Sequence, residues 1–213
     1  MTPFRARAER KHALAGNGPI VDRARRALRL VAEQFGEVTA TTQTTVDVRT
    51  PDGIELTLSY DPGNYIFSRV YNLAISTTLP DGSAAPSGVA VSHRDRGGAR
   101  YVPAAGRATG GPARGGGAAP SGGSGALRRL NEVAGPLLDG IDLHSSTIAT
   151  TGGGRTLTVT PLGGSYVWVL IPPVFKATAF PQGEPERILE LIRAVRGLSA
   201  PDPSSPTQKG PAS

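Results

Sequence analysis

Two short sets of aromatic and basic residues are the parts of this sequence best suited to gripping something: Tyr65, Phe67 and Arg69, and Tyr166 and Trp168. Residues two apart on an extended chain share one face, so each set lines one side of a strand. Exposed sheet aromatics in that arrangement stack on bases or anchor a partner protein. The plainer reading is burial of the rings against helices. A third set, Arg23, Arg25, Arg26 and Arg29, could bind anions. Residues 1 to 29 hold eight basic side chains against Glu9 and Asp22, so the whole formal charge of +6 sits there. Such an asymmetry attracts nucleic acid, anionic lipid or an acidic partner through long-range fields. Against it, Asp22 lies three and four residues before Arg25 and Arg26, and Arg29 four before Glu33, the spacings of surface ion pairs on a helix.

Other patterns that imitate chemistry lack their complements. His93-Arg94-Asp95 copies the catalytic-loop triplet of protein kinases, but the downstream Asn, the Gly-rich loop and the strand Lys are missing. The glycine runs at 115 to 117 and 152 to 154 neither open a helix after a strand nor precede a Lys-Ser/Thr pair, so they are not phosphate cradles. His12, His93 and His144 stand apart, without a carboxylate or second His at metal-ligand spacing. Ser124 lacks the final Gly of a nucleophile elbow and reads as a helix cap. The chain has no cysteine, which removes disulfides, thiolate metal sites and cysteine nucleophiles together. No catalytic, cofactor-binding or metal-ligating residue is therefore nominated, no cofactor is expected, and the balance leans away from an enzyme.

The elements that would position these side chains follow from periodicity and turn chemistry. Gly18-Pro19 opens a helix in which Ile20, Ala24, Leu28, Val31 and Phe35 recur every three or four residues before Gly36 closes it. Strands follow over 38–49, 54–59 and 65–77, with turns predicted at Pro51-Asp52-Gly53 and at Asp61-Pro62-Gly63-Asn64. A second helix starts at Ser124 with Leu127, Leu130, Val133 and Leu137 at core spacing, and Gly135-Pro136 should end or kink it. Strands over 141–150, 157–160 and 166–171 come next. The last helix runs from Glu184-Pro185 to Arg196, with acids in its first turn, arginines in its last, and Ile188, Leu191, Ile192, Val195 and Leu198 on one face.

Thr50 to Pro80 and Thr151 to Pro181 align without a gap at an offset of 101, with eight of 31 positions identical. About two identities would arise by chance, so the alignment reads as a duplication. The predicted fold is accordingly α+β: a duplicated unit of one helix plus a three-stranded antiparallel meander, a C-terminal helix, and helices packed on one face of the sheet or sheets. The division is a flexible basic N-terminus over 1–17, a first half over 18–81, a Gly/Pro/Ala-rich, largely disordered linker over 82–124 with a loose hairpin near 88–103 left open, a second half with the last helix over 125–198, and a disordered tail over 199–213. No apolar run approaches the ~20 residues that span a bilayer, and residues 1–17 lack the apolar core of a secretory signal, so a cytoplasmic protein is expected.

This order of elements resembles that of bacterial secretion chaperones, in topology only. The expected function is a non-enzymatic binding or adaptor protein, chaperone-like, whose partner is a polypeptide. The alternatives are a nucleic-acid-binding protein using the basic N-terminal helix, and an enzyme of another class built from residues such as Asp61, Tyr65, Arg69, His144 and Tyr166.

Overall fold

The computed structural model describes residues 14–64, 68–93, 98–104, 122–152, 154–169 and 174–199. Both terminal segments, Tyr65 and Phe67, and the glycine-rich run 105–121 lie outside the described residues. The elements are α1 (Pro19–Ala32), β1 (Glu37–Thr41), β2 (Thr45–Arg49), β3 (Glu55–Asn64), β4 (Ser68–Thr78), β5 (Val89–Ser92), β6 (Arg100–Pro103), α2 (Gly122–Leu138), β7 (Leu143–Thr151), β8 (Gly154–Pro161), β9 (Tyr166–Val169), β10 (Val174–Ala177) and α3 (Glu184–Arg196).

The strands form one antiparallel sheet of ten, ordered β1-β2-β3-β4-β8-β7-β5-β6, with β9 pairing β4 and β10 pairing β9. This overturns the expected pair of helix-plus-meander units: the molecule is mostly a single large sheet with three described helices. The offset of 101 is not kept in space either. Leu56 opposes Val48, whereas its counterpart Leu157 opposes Ile148, the counterpart of Asp47, so the second hairpin is slipped by one residue. The third strands differ more. β4 runs unbroken for 11 residues, but the stretch matching it is divided into β9 and β10, which pair with each other with Val169 opposite Val174. Eight identities thus mark similar turn and strand chemistry, which sequence comparison cannot tell from a shared register.

Three local departures have physical causes. The expected strand over 38–49 is a hairpin, because Thr42 builds a turn without glycine: its Oγ1 accepts from the backbone N–H groups of Thr44 (3.1 Å) and Thr45 (2.9 Å), while its own N–H donates to the Thr45 carbonyl. Asp61-Pro62-Gly63-Asn64 is no turn but the end of β3, which pairs with β4 through Asn64 opposite Arg69. β2 pairs with β3 only as far as Ser59, so Pro62 stands on a local edge where its missing N–H breaks no ladder. Finally, α2 passes through Pro136 to Leu138, losing one hydrogen bond near its end. Its buried face is Leu130, Ala134 and Leu138, which leaves Val133 40% exposed instead of in the core.

Alternation divides the sheet into two faces. Val46, Val48, Leu56, Leu58, Tyr60, Tyr71, Leu73, Ile75, Leu157 and Val159 are all buried, and they form one core with Ala24, Leu28 and Val31 of α1 and with Ile188, Leu191, Ile192 and Val195 of α3. Within the stretch 82–124, β5 and β6 make a hairpin that joins this core: Tyr101 is fully buried, and its hydroxyl lies 2.7 Å from Ser146 Oγ. No described helix is long and apolar enough to cross a membrane.

Candidate functional site

The four predicted arginines stand on α1 but not in one role. Arg25 is a structural clip: its guanidinium donates to the carbonyls of Leu14 (2.6 Å), Gly16 (3.0 Å) and Gln43 (3.1 Å) and pairs with Asp22 at 3.3 Å. It ties the chain before α1 and the β1–β2 turn to the helix. Arg29 reaches Glu33 at 3.5 Å, an exposed pair. Arg23 and Arg26, one turn apart and exposed, approach Tyr166 closely enough for their charge to act on its hydroxyl.

Of the predicted aromatic sets, Tyr65 and Phe67 lie outside the described residues, and the Arg69 backbone pairs with Trp168 and Asn64. Trp168 is half-buried in β9. Tyr166 sits on the helix-covered face at 4% exposure, directly opposite Tyr71. The Tyr71 and Tyr166 rings are 6.0 Å apart with an interplanar angle of 51°, and Tyr60 follows at 6.2 Å from Tyr71. Tyr60 donates to the Gly164 carbonyl at 2.9 Å, but the Tyr71 and Tyr166 hydroxyls are buried with no hydrogen-bond partner among the described residues. Burial pushes the Tyr166 hydroxyl up, Arg23 and Arg26 oppose that rise, and Tyr71 adds to it. Structure therefore joins two sets that the sequence kept apart, and it adds Tyr60 and Tyr71, whose only signal was alternation along β3 and β4.

The opposite face of the sheet is of another kind. Thr45, Asp47, Thr57, Ser59, Ser76, Thr78, Thr156 and Thr158 are exposed or half-buried there, and none is large and apolar. Neighbours bond across the strands: Thr57 Oγ1 donates to Asp47 Oδ1 at 2.8 Å, and Ser76 Oγ lies 3.0 Å from Thr158 Oγ1. At one end a polar cleft of about 540 Å³ opens, lined by Gly53, Glu55, Thr57, Ser76, Thr77, Thr78, Thr156 and Arg196. Arg196 reaches it from the last turn of α3, where it donates to Thr77 Oγ1 at 3.1 Å and to the Thr78 carbonyl. Asp52, in the neighbouring turn, takes two hydrogen bonds from Arg193 at 2.7 and 3.3 Å. That contact first, and then the Thr50 hydroxyl, holds its carboxyl well below the usual range.

A third feature anchors α3. Between β8 and β9, residues 160–165 sit opposite only Asn72, Leu73 and Ala74, since Ile75 pairs with Val159 and Tyr71 with Tyr166. The extra residues make an irregular bulge opposite β4. A Cβ on Gly163 would stand 2.4 Å from the Phe180 ring and 2.7 Å from Glu184 Oε2, so the backbone approaches where no side chain fits. Glu184, 1% exposed at the head of α3, accepts from the Asp142 N–H through Oε1 at 2.9 Å, and its Oε2 has no partner. Burial pushes its carboxyl up, with Asp142 adding charge repulsion and both the Asp142 N–H and Arg187 opposing. Among the described residues, no group of three or more His, Asp or Glu side chains could hold a metal ion; His93 and His144 are both exposed.

No curated protein and no solved structure matches the chain. One family model does match, over residues 33–199, from the end of α1 through β1 to the end of α3; the chain belongs to that family, described as Protein of unknown function (DUF3156).

Proposed function

We propose that the protein is a non-enzymatic binding or adaptor protein that receives an extended polypeptide on the open face of its sheet, with the cleft at Ser76 and Arg196 as the anchor point. The observation that carries this reading is the two-sidedness of the sheet: the buried core and the helices packed on it lie on one face, while across β2, β3, β4 and β8 the other carries rows of hydroxyls. Hydroxyls both donate and accept, so they match the alternating N–H and C=O groups of an extended chain. Glu55 and Arg196 add one charge of each sign within the cleft. Among the described residues these hydroxyls bond to one another or to Asp47 and not to an imidazole, so none of them is an activated nucleophile that would support an enzymatic alternative.

Selection of phage-displayed random peptides on the immobilised full chain tests the reading. Enriched peptides should lose at least tenfold in affinity for Ser76→Trp, which fills the cleft, and keep it for Glu190→Trp on the exposed side of α3. Failure to enrich any sequence, or equal binding by both variants, would sink the proposal. The second reading, nucleic-acid binding, rests on the exposure of Arg23, Arg26 and Arg29 along α1. It requires oligonucleotide binding that survives about 0.15 M salt and is lost when all three become alanine, because phosphate contacts release counterions and weaken steeply with salt. We expect only weak binding that vanishes near that concentration in fluorescence anisotropy with duplex and single-stranded probes.

A further inference from the structure

We propose that Tyr71 and Tyr166, with Arg23 and Arg26 of α1 beside them, form a binding site for a compact oxyanion, a phosphate or a carboxylate, on the face of the sheet away from the cleft. The first ground is the pair of hydroxyls. A buried polar group without a partner keeps its full desolvation penalty, so such groups are rare unless something absent from the chain itself completes them. Here two occur together. Tyr71 is 1% and Tyr166 4% exposed, both hydroxyls lack a partner among the described residues, and the residues are directly opposed on adjacent strands, so both rings rise from one point of the same face. Their neighbour Tyr60 shows the contrast, because its hydroxyl is satisfied within the chain by the Gly164 carbonyl.

The second ground is the sign of the surroundings. The charges that act on the Tyr166 hydroxyl come from Arg23 and Arg26, and no carboxylate is among them. Two donors missing acceptors beside two guanidiniums call for an acceptor of negative charge, and oxygens of a phosphate or carboxylate accept from both kinds of donor at once. The arginines are exposed and stand on the α1 side, so the anion enters along that flank and not through the core.

Thermal unfolding of the full chain at fixed ionic strength tests this, with inorganic phosphate and acetate as separate arms against chloride. One oxyanion should raise Tm by several degrees over chloride, and which one does so identifies the source. Tyr71→Phe/Tyr166→Phe should abolish that gain, and Arg23→Ala/Arg26→Ala should weaken the apparent Kd at least tenfold. Because the phenylalanine pair removes only two oxygens, it should fold, and in chloride it should be at least as stable as the parent. If neither anion protects more than chloride does, or if protection persists in the phenylalanine variant, the hydroxyls hold water or nothing and the proposal fails.

Discussion

The two faces of the sheet are made by the same strands and obey opposite rules. On one, Leu56, Leu58, Leu73, Ile75, Leu157 and Val159 alternate into a core closed by α1 and α3. On the other, Thr57, Ser59, Ser76, Thr156 and Thr158 face outward, and their bonds run to neighbouring polar side chains: Thr57 to Asp47, Ser76 to Thr158 and Thr156 to Thr151. One face holds the molecule together, and the other is left open to solvent. The contrast predicts that stability is concentrated on the helix side and that the hydroxyl side tolerates change.

The largest test removes core from the helix side. Ile192→Ala should cost about 2–5 kcal/mol, because the side chain is 1% exposed and truncation leaves a cavity; a chemical-denaturation loss within error would break the comparison. Next comes the bulge. Gly164 has φ +71°, and a Cβ there would meet Leu73 and Phe180 at 2.7 Å, so Gly164→Ala should destabilise by about 1–3 kcal/mol. An unchanged melting temperature would show that the bulge shifts freely.

Glu184→Gln should act in the other direction. Its folded carboxyl titrates above the ordinary value of 4.5, so the stability it contributes is full below that value and is lost as pH rises through the folded pKa. At neutral pH the glutamine variant should be more stable than the parent and should lose that part of the pH dependence. Parallel pH profiles for the two proteins would remove the buried acid from the account. The smallest effect belongs to the open face: Ser76→Ala should change stability by no more than about 0.5 kcal/mol, and a larger loss would mean that the hydroxyl rows are structural.

What the sequence made legible was local. α3 was readable from Glu184 to Arg196 because its caps, charges and apolar stripe agree, and four of its five predicted core residues are fully buried, with Leu198 partly so. The Thr42 turn was hidden because a hydroxyl did the work that glycine or asparagine usually advertises. Pro62 misled because its cost depends on whether β2 reaches that far, a fact of pairing and not of propensity. The sheet order was illegible for a related reason: nothing near Ile75 in the chain announces Val159 as its neighbour. For the candidate sites, Tyr166, Arg23 and Arg26 were each picked out as binding residues, but their convergence under α1 was not, since periodicity assigns faces without saying which element covers them. The cleft was missed because isolated Thr and Ser residues carry no signal until three strands set them side by side.

The seam between β4 and β8 sets the order in which this molecule can assemble. β3–β4 and β7–β8 are hairpins of near neighbours, whereas Ile75 must find Val159 across everything between them. Local contacts form early and distant ones pay loop-closure entropy first, so folding should be paced by the meeting of two preformed hairpins. Substitutions that weaken the seam, such as Val159→Ala, should then slow refolding more than equal losses in β1, whose pairing with β2 closes only a short turn.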